Sequence, residues 1–223
     1  ENIINGGFGL ATKLCGNQFE ERNDIPKDHP DVKVFEVKEK DGNHIGILYT
    51  DYFPRASKRG GAWMDEFRRQ FKKDGKMISP IIYNVGNFSK PTSGKPALLS
   101  LDEVNTLFHE FGHALHGLCS NVTYPRLSGT NVSTDYVEFP SQILERWLST
   151  PEILNKFALH YHTGAVIPKD LVQRIENASK FNQGFSTVEY LASALIDMKL
   201  HLAGDQKIDA DAFERKELEE LGM

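Results

Sequence analysis

The chain has 223 residues, 39% hydrophobic and 26% charged, enough to bury a core, and it reads as one domain over residues 1–223. Its 31 acidic and 26 basic side chains leave a net charge of −5, which gives no electrostatic reason to expect nucleic acid as a partner. There is no leader-like start and no apolar run of about 18 residues, so no membrane contact is expected.

In chain order, Phe8 to Cys15 reads as a short helix, and Val32–Val37 and His44–Phe53 as strands of a hairpin turning at Asp41-Gly42. The segment around Met64 to Phe71 is expected to be a charged helix. Pro80-Ile81-Ile82-Tyr83-Asn84-Val85 reads as a strand, and the Gly-, Pro- and Ser-rich run from Asn87 to Pro96 as a loop. Beyond it the pattern is helical: Leu101 to Leu118, a segment around Glu138 to Trp147, then Ile153–His162, Pro168–Ala178, Val188–Leu202 and Ala210–Leu221. Cys15 and Cys119 belong to no disulfide or CxxC pattern and read as small core residues in a reducing compartment. Cytoplasmic residence is therefore expected, or periplasmic if an export signal has been removed.

The segment Leu101 to Leu118 carries the chemistry. Ser100-Leu101-Asp102-Glu103 is a capping box, and Leu101, Val104, Leu107, Phe108, Phe111, Ala114, Leu115 and Leu118 form an apolar stripe behind it. Within it lies His109-Glu110-Phe111-Gly112-His113, an H-E-x-x-H pattern. On a helix this spacing turns both imidazoles to one face, toward one metal, with Glu110 beside the open coordination position. Gly112 and Gly117 each cost the helix about 1 kcal/mol relative to Ala, and Gly112 leaves room for another backbone to pass close to the site.

A catalytic zinc takes three protein ligands and leaves a fourth position for water. Three sources for the third ligand compete. The extended motif with Gly at position 116 and His at 119 is excluded, because His116 and Cys119 stand there. His116 shares the helical face but lies too far along the axis, and reads as a packed neighbour. Glu138 lies at the start of a second helix, antiparallel to the first, whose stripe is Ile143, Leu144 and Trp147 and whose Pro140 is expected in the first turn. From the residues alone, Glu138 is equally a third ligand or a first-turn carboxylate placed for the helix dipole.

The run from His109 to Leu118, then Leu127-Ser128-Gly129-Thr130, then Tyr136-Val137-Glu138-Phe139-Pro140-Ser141-Gln142 resembles the zinc oligopeptidases of the thimet oligopeptidase family, especially its dipeptidyl carboxypeptidase and oligopeptidase A branch. Asp51–Arg55, Lys58–Trp63 and Phe185–Leu191 extend the likeness over most of the chain. In that family the third ligand is a Glu 25 residues after the second His, which corresponds to Glu138 here. The expected fold is α+β and predominantly helical, the order of elements resembling a zincin-like core with a small antiparallel sheet whose edge strand precedes the H-E-x-x-H helix; the strand ending at Asn84-Val85 is equally that edge, to which an extended peptide could add, or an ordinary buried strand. The resemblance also implies that the family's proteins are longer at both ends, with a channel wall before this segment and a Gly-rich stretch with Tyr and His after it.

The resulting expectation is a metallopeptidase acting on short oligopeptides, either removing C-terminal dipeptides or cutting internally. One Zn²⁺ would be held by His109, His113 and Glu138, with Glu110 as the base that takes the water's proton. Gln142 or Glu145 would receive a ligand imidazole's second N–H. The competing reading is a catalytically impaired zinc- or peptide-binding fragment. His29, His44, His160, His162 and His201 read as ordinary surface or core residues.

Overall fold

The computed structural model describes residues 1–92 and 94–223. The chain divides into two compact units, Glu1–Ile167 and Pro168–Met223. It is mixed in class, with seven α-helices and a small sheet among the described residues.

The first unit contains α1 (Asn2–Cys15), seven strands, α2 (Leu101–Leu118), α3 (Thr134–Trp147) and α4 (Pro151–Phe157). The strands are β1 (Gln18–Glu21), β2 (Lys33–Lys38), β3 (His44–Asp51), β4 (Trp63–Arg68), β5 (Phe71–Lys73), β6 (Lys76–Ile78) and β7 (Ile81–Val85). β5 and β6 form a separate hairpin, and the other five form a sheet in the order β1-β2-β3-β7-β4. All neighbours are antiparallel except β3 and β7, which run parallel, so the sheet is mixed and not purely antiparallel. β7 lies between β3 and β4 and is not an edge; the edges are β1 and β4.

The expected helix at Met64–Phe71 is strands β4 and β5. Met64, Phe67 and Phe71 have helical spacing, but Phe67 points to solvent and is 81% exposed, whereas the Glu66 side chain is buried. Polar-in and apolar-out inverts the alternation by which a half-buried strand is recognised. Glu66 is tolerated inside because Arg69 and Asn131 reach its carboxylate. Burial pushes that carboxyl above its usual value.

α2 lies on the sheet. Phe108, Phe111, Ala114, Leu115 and Leu118 bury against Leu10, Phe35, Val37, Leu48 and Ile82. Full burial of one such Leu, Ile or Phe side chain is worth about 1.5–3 kcal/mol. Its first turn is closed by the capping box, Ser100 accepting from the Glu103 N–H and the Glu103 carboxylate from the Ser100 N–H. α1 begins six residues earlier than its apolar pattern suggests. Gly6 and Gly9, poor helix formers, lie under Phe157 of α4, where an added Cβ would come within 3.3 and 3.1 Å of the ring.

α3 runs antiparallel to α2: Asn105 and His109 meet Glu145, Gly112 meets Ser141, and His116 meets Tyr136. Since α3 starts at Thr134, Pro140 lies in its interior and not in the first turn. Its missing N–H removes one rung of the helix ladder. α4 stops at Phe157, and His160 and His162 lie in a turn closed by His160 N–H to the Ala165 carbonyl, 2.8 Å. Cys15 and Cys119 are exposed, not core; one is the last residue of α1 and the other caps α2.

The second unit is α5 (Lys169–Ser179), α6 (Gln183–Leu202) and α7 (Ala210–Glu220), with Lys199 of α6 paired to Glu217 of α7. No described helix is long and apolar enough to cross a membrane.

The closest approach of α2 and α3 is at Gly112, where a Cβ would stand 2.6 Å from the Ser141 Cα and 3.1 Å from the Pro140 carbonyl oxygen. Neither contact can rotate away. Gly112→Ala is therefore expected to destabilise the chain by about 1–3 kcal/mol despite the better helix propensity of Ala. Urea denaturation monitored by circular dichroism measures this; a variant as stable as the parent would contradict the packing.

Candidate metal centre

The α2–α3 contact brings three ligand atoms together. His109 Nε2 and His113 Nε2 are 3.1 Å apart, and Glu138 Oε2 is 3.1 Å from each. A tetrahedral centre with ligands at about 2.0–2.1 Å sets them about 3.3 Å from one another. The near-equilateral triangle of one carboxylate and two imidazole donors thus has the size and chemistry of a metal site, and these three residues form a possible His-His-Glu metal-binding group. The helical repeat supplies the two imidazoles, and α3 supplies the carboxylate.

The three side chains are themselves held. His109 Nδ1 lies 2.5 Å from Glu145 Oε1, and Asn105 Nδ2 donates to Glu145 Oε2 at 3.0 Å. A carboxylate on Nδ1 selects the tautomer that leaves Nε2 free as a ligand. The buried Ser141 hydroxyl lies 2.9 Å from both the Glu138 carbonyl oxygen and Glu138 Oε2. His113 is buried, which pushes its imidazole below the usual pKa toward the neutral, ligating form, while the Glu138 charge opposes this. Of the two acceptors suggested by the sequence, the structure brings in Glu145; Gln142 is exposed.

Glu110 is outside the triangle and 9% exposed. Burial raises its carboxyl above the usual value, with the Glu138 charge adding to the rise and His109 partly offsetting it. A carboxylate so placed is a better proton acceptor than a solvated one. His116 also stands apart, its ring 6.3 Å from that of Tyr136. The Leu127–Thr130 segment packs on α2, where a Cβ on Gly129 would come within 3.1 Å of the Gly117 Cα and 2.6 Å of Glu66 Oε1. A concavity of about 800 Å³ at the C-terminal end of α2, lined partly by Cys15, Asn17, His44 and Cys119, includes none of His109, His113 and Glu138.

Sequence reasoning missed Asn105, Ser141 and Asn84. Asn105 had a readable signal, since it stands four residues before His109 on the same helical face. Ser141 had the same relation to Glu138 at a spacing of three. Asn84 is a lone amide in an apolar strand, donating from Nδ2 to the Glu110 carbonyl at 2.9 Å.

The profile of peptidase family M3 matches residues 1–221. The chain is 47% identical over 219 residues to the dipeptidyl carboxypeptidase of Escherichia coli (strain K12), covering 97% of this chain and 32% of that protein. It is 40% identical over 200 residues to the oligopeptidase A of the same organism, covering 89% and 29%. It is 35% identical over 206 residues to a thimet-like oligopeptidase of Dictyostelium discoideum, covering 90% and 31%. The chain spans about a third of the length of these relatives.

Removing Glu145 leaves His109 Nδ1 without its carboxylate. Glu145→Ala is expected to weaken Zn²⁺ binding by roughly 10- to 100-fold without abolishing it. Competition with a chromogenic chelator gives the affinity; parent-like binding would show that Glu145 does not support the site.

Proposed function

From the chain's membership of peptidase family M3, we propose that it forms the zinc site of a peptidase hydrolysing short oligopeptides, with His109, His113 and Glu138 as ligands and Glu110 as general base. The observation that carries this is the 3.1 Å triangle of two imidazole nitrogens and a carboxylate oxygen beside a buried glutamate. The mixed sheet, with α2 packed on it and β4 at its edge, supports a zincin-like reading of the core.

Zinc, when bound, supplies a Lewis acid that polarises the peptide carbonyl and acidifies water. The chain's residues do the remainder. Glu110 accepts the proton of the attacking water and returns it to the leaving amine, for which its raised carboxyl pKa suits it. Glu145 keeps His109 in the ligating tautomer, and Ser141 fixes the Glu138 carboxylate. The substrate backbone pairs with β4, whose outer side has no strand partner in the sheet; β7, the strand suggested by sequence, is paired on both sides. The relatives named as a dipeptidyl carboxypeptidase and an oligopeptidase support either exopeptidase or internal cleavage.

The purified chain is expected to bind one zinc per molecule by elemental analysis. His109→Ala, His113→Ala and Glu138→Ala should each lose it, because two ligands do not hold a stable site. Glu110→Gln should keep zinc and lose hydrolysis of an unblocked oligopeptide followed by chromatography, since the amide is nearly isosteric but accepts no proton. Zinc retained in His109→Ala would sink the ligand assignment. Hydrolysis at the parent rate in Glu110→Gln would sink the base. Zinc binding without cleavage by the parent chain would leave only the impaired, peptide-binding alternative.

A further inference from the structure

Asn84 is fully buried in β7, opposite the buried Thr50 of β3 and Met64 of β4, beside the apolar layer that contains Leu48 and Ile82. Its Nδ2 donates to the backbone carbonyl of Glu110 at 2.9 Å, and the Tyr52 hydroxyl lies 3.5 Å from its Oδ1. Tyr52 is buried too, and burial together with the Glu110 charge holds its hydroxyl protonated, as a donor. The chain Tyr52–Asn84–Glu110 thus runs from the end of β3, through the sheet, to the one helical residue that carries the base.

We propose that Asn84 is a positioning residue for Glu110, fixing the height and rotation of α2 over the sheet where the base leaves the helix. This rests on the reading of Glu110 as the base. The apolar contacts between α2 and the sheet are non-directional and permit small slides, whereas an amide-to-carbonyl hydrogen bond fixes both distance and direction. Pairing of the helix backbone alone does not call for an amide here. Within the α-helix the Glu110 carbonyl also accepts from the N–H four residues on, so an aliphatic replacement at 84 strands no backbone acceptor. The amide also ties the helix to the strand beside the sheet edge, because its register partner is Met64 in β4.

The test uses the zinc-loaded chain, an unblocked oligopeptide, and the variants Asn84→Leu and Tyr52→Phe. Asn84→Leu should retain the parent's zinc content and KM, melt somewhat lower because the buried Tyr52 hydroxyl loses its partner, and lose roughly 10- to 100-fold in kcat, the loss expected of a base displaced by up to about an ångström. Tyr52→Phe, which removes only the group orienting the amide, should lower kcat by less and in the same direction. In the Glu110→Gln background, Asn84→Leu should add no further loss to the residual rate, because there is no base left to position. A readout independent of turnover is the crystal structure of Asn84→Leu, in which Glu110 should move relative to β7 and β4. Parent-like kcat in Asn84→Leu, or a fall in kcat matched by loss of zinc, would overturn the proposal, as would an additive loss in the Glu110→Gln background. Should Asn84→Leu fail to fold, an unchanged kcat in Tyr52→Phe would overturn it. A parent chain that binds zinc but cleaves nothing would sink the reading of Glu110 as base, and this role with it; parent cleavage with unaltered variants would sink the role alone.

Discussion

The site depends on the close crossing of α2 and α3 at Gly112. Helices with ordinary side chains at their contact lie 8–10 Å apart, and here one residue without a Cβ lets the Ser141 backbone approach directly. That approach carries Glu138, three residues before Ser141, to both imidazoles, and Glu145, four residues after it, to the far nitrogen of His109. One turn of α3 on either side of the crossing thus supplies the third corner of the triangle and the carboxylate behind His109. A helix displaced outward by the width of a methyl group would serve neither.

Around this crossing the polar groups divide the work. His109 is held on its outer nitrogen, Glu138 by the Ser141 hydroxyl, and the Glu110 backbone from the sheet side by Asn84. His113 has no such partner: its Nδ1 is buried without a hydrogen bond among the described residues. Its orientation comes from burial in the helix interface, not from a second hydrogen bond.

Much of the helical part was legible because its signals are local. The capping box marked the start of α2 at Leu101, and the apolar stripe marked its end at Leu118. The H-E-x-x-H spacing placed two imidazoles on one face, and the family spacing pointed to Glu138 over an interval that helix geometry cannot span by itself. The sheet was harder. β4 hid behind the helical spacing of Met64, Phe67 and Phe71, since an inward Glu66 and an outward Phe67 reverse the usual alternation. With β4 unseen, β7 took its place as the edge. The parallel pairing of β3 and β7 is non-local and leaves no mark in either strand. Cys15 and Cys119 were misplaced for a related reason: both end a helix, where an apolar residue need not be covered.

The central claim is that two imidazoles and one carboxylate, contributed by α2 and α3, hold a single zinc ion. X-ray absorption spectroscopy of the zinc-loaded chain tests it most directly. The account predicts two imidazole nitrogens, one carboxylate oxygen and one further light-atom ligand at about 2.0–2.2 Å. The spectrum should lose the carboxylate contribution in Glu138→Ala if metal can be forced into that variant. A sulfur shell at about 2.3 Å, pointing to Cys15 or Cys119, or a third imidazole, pointing to His116, would contradict it.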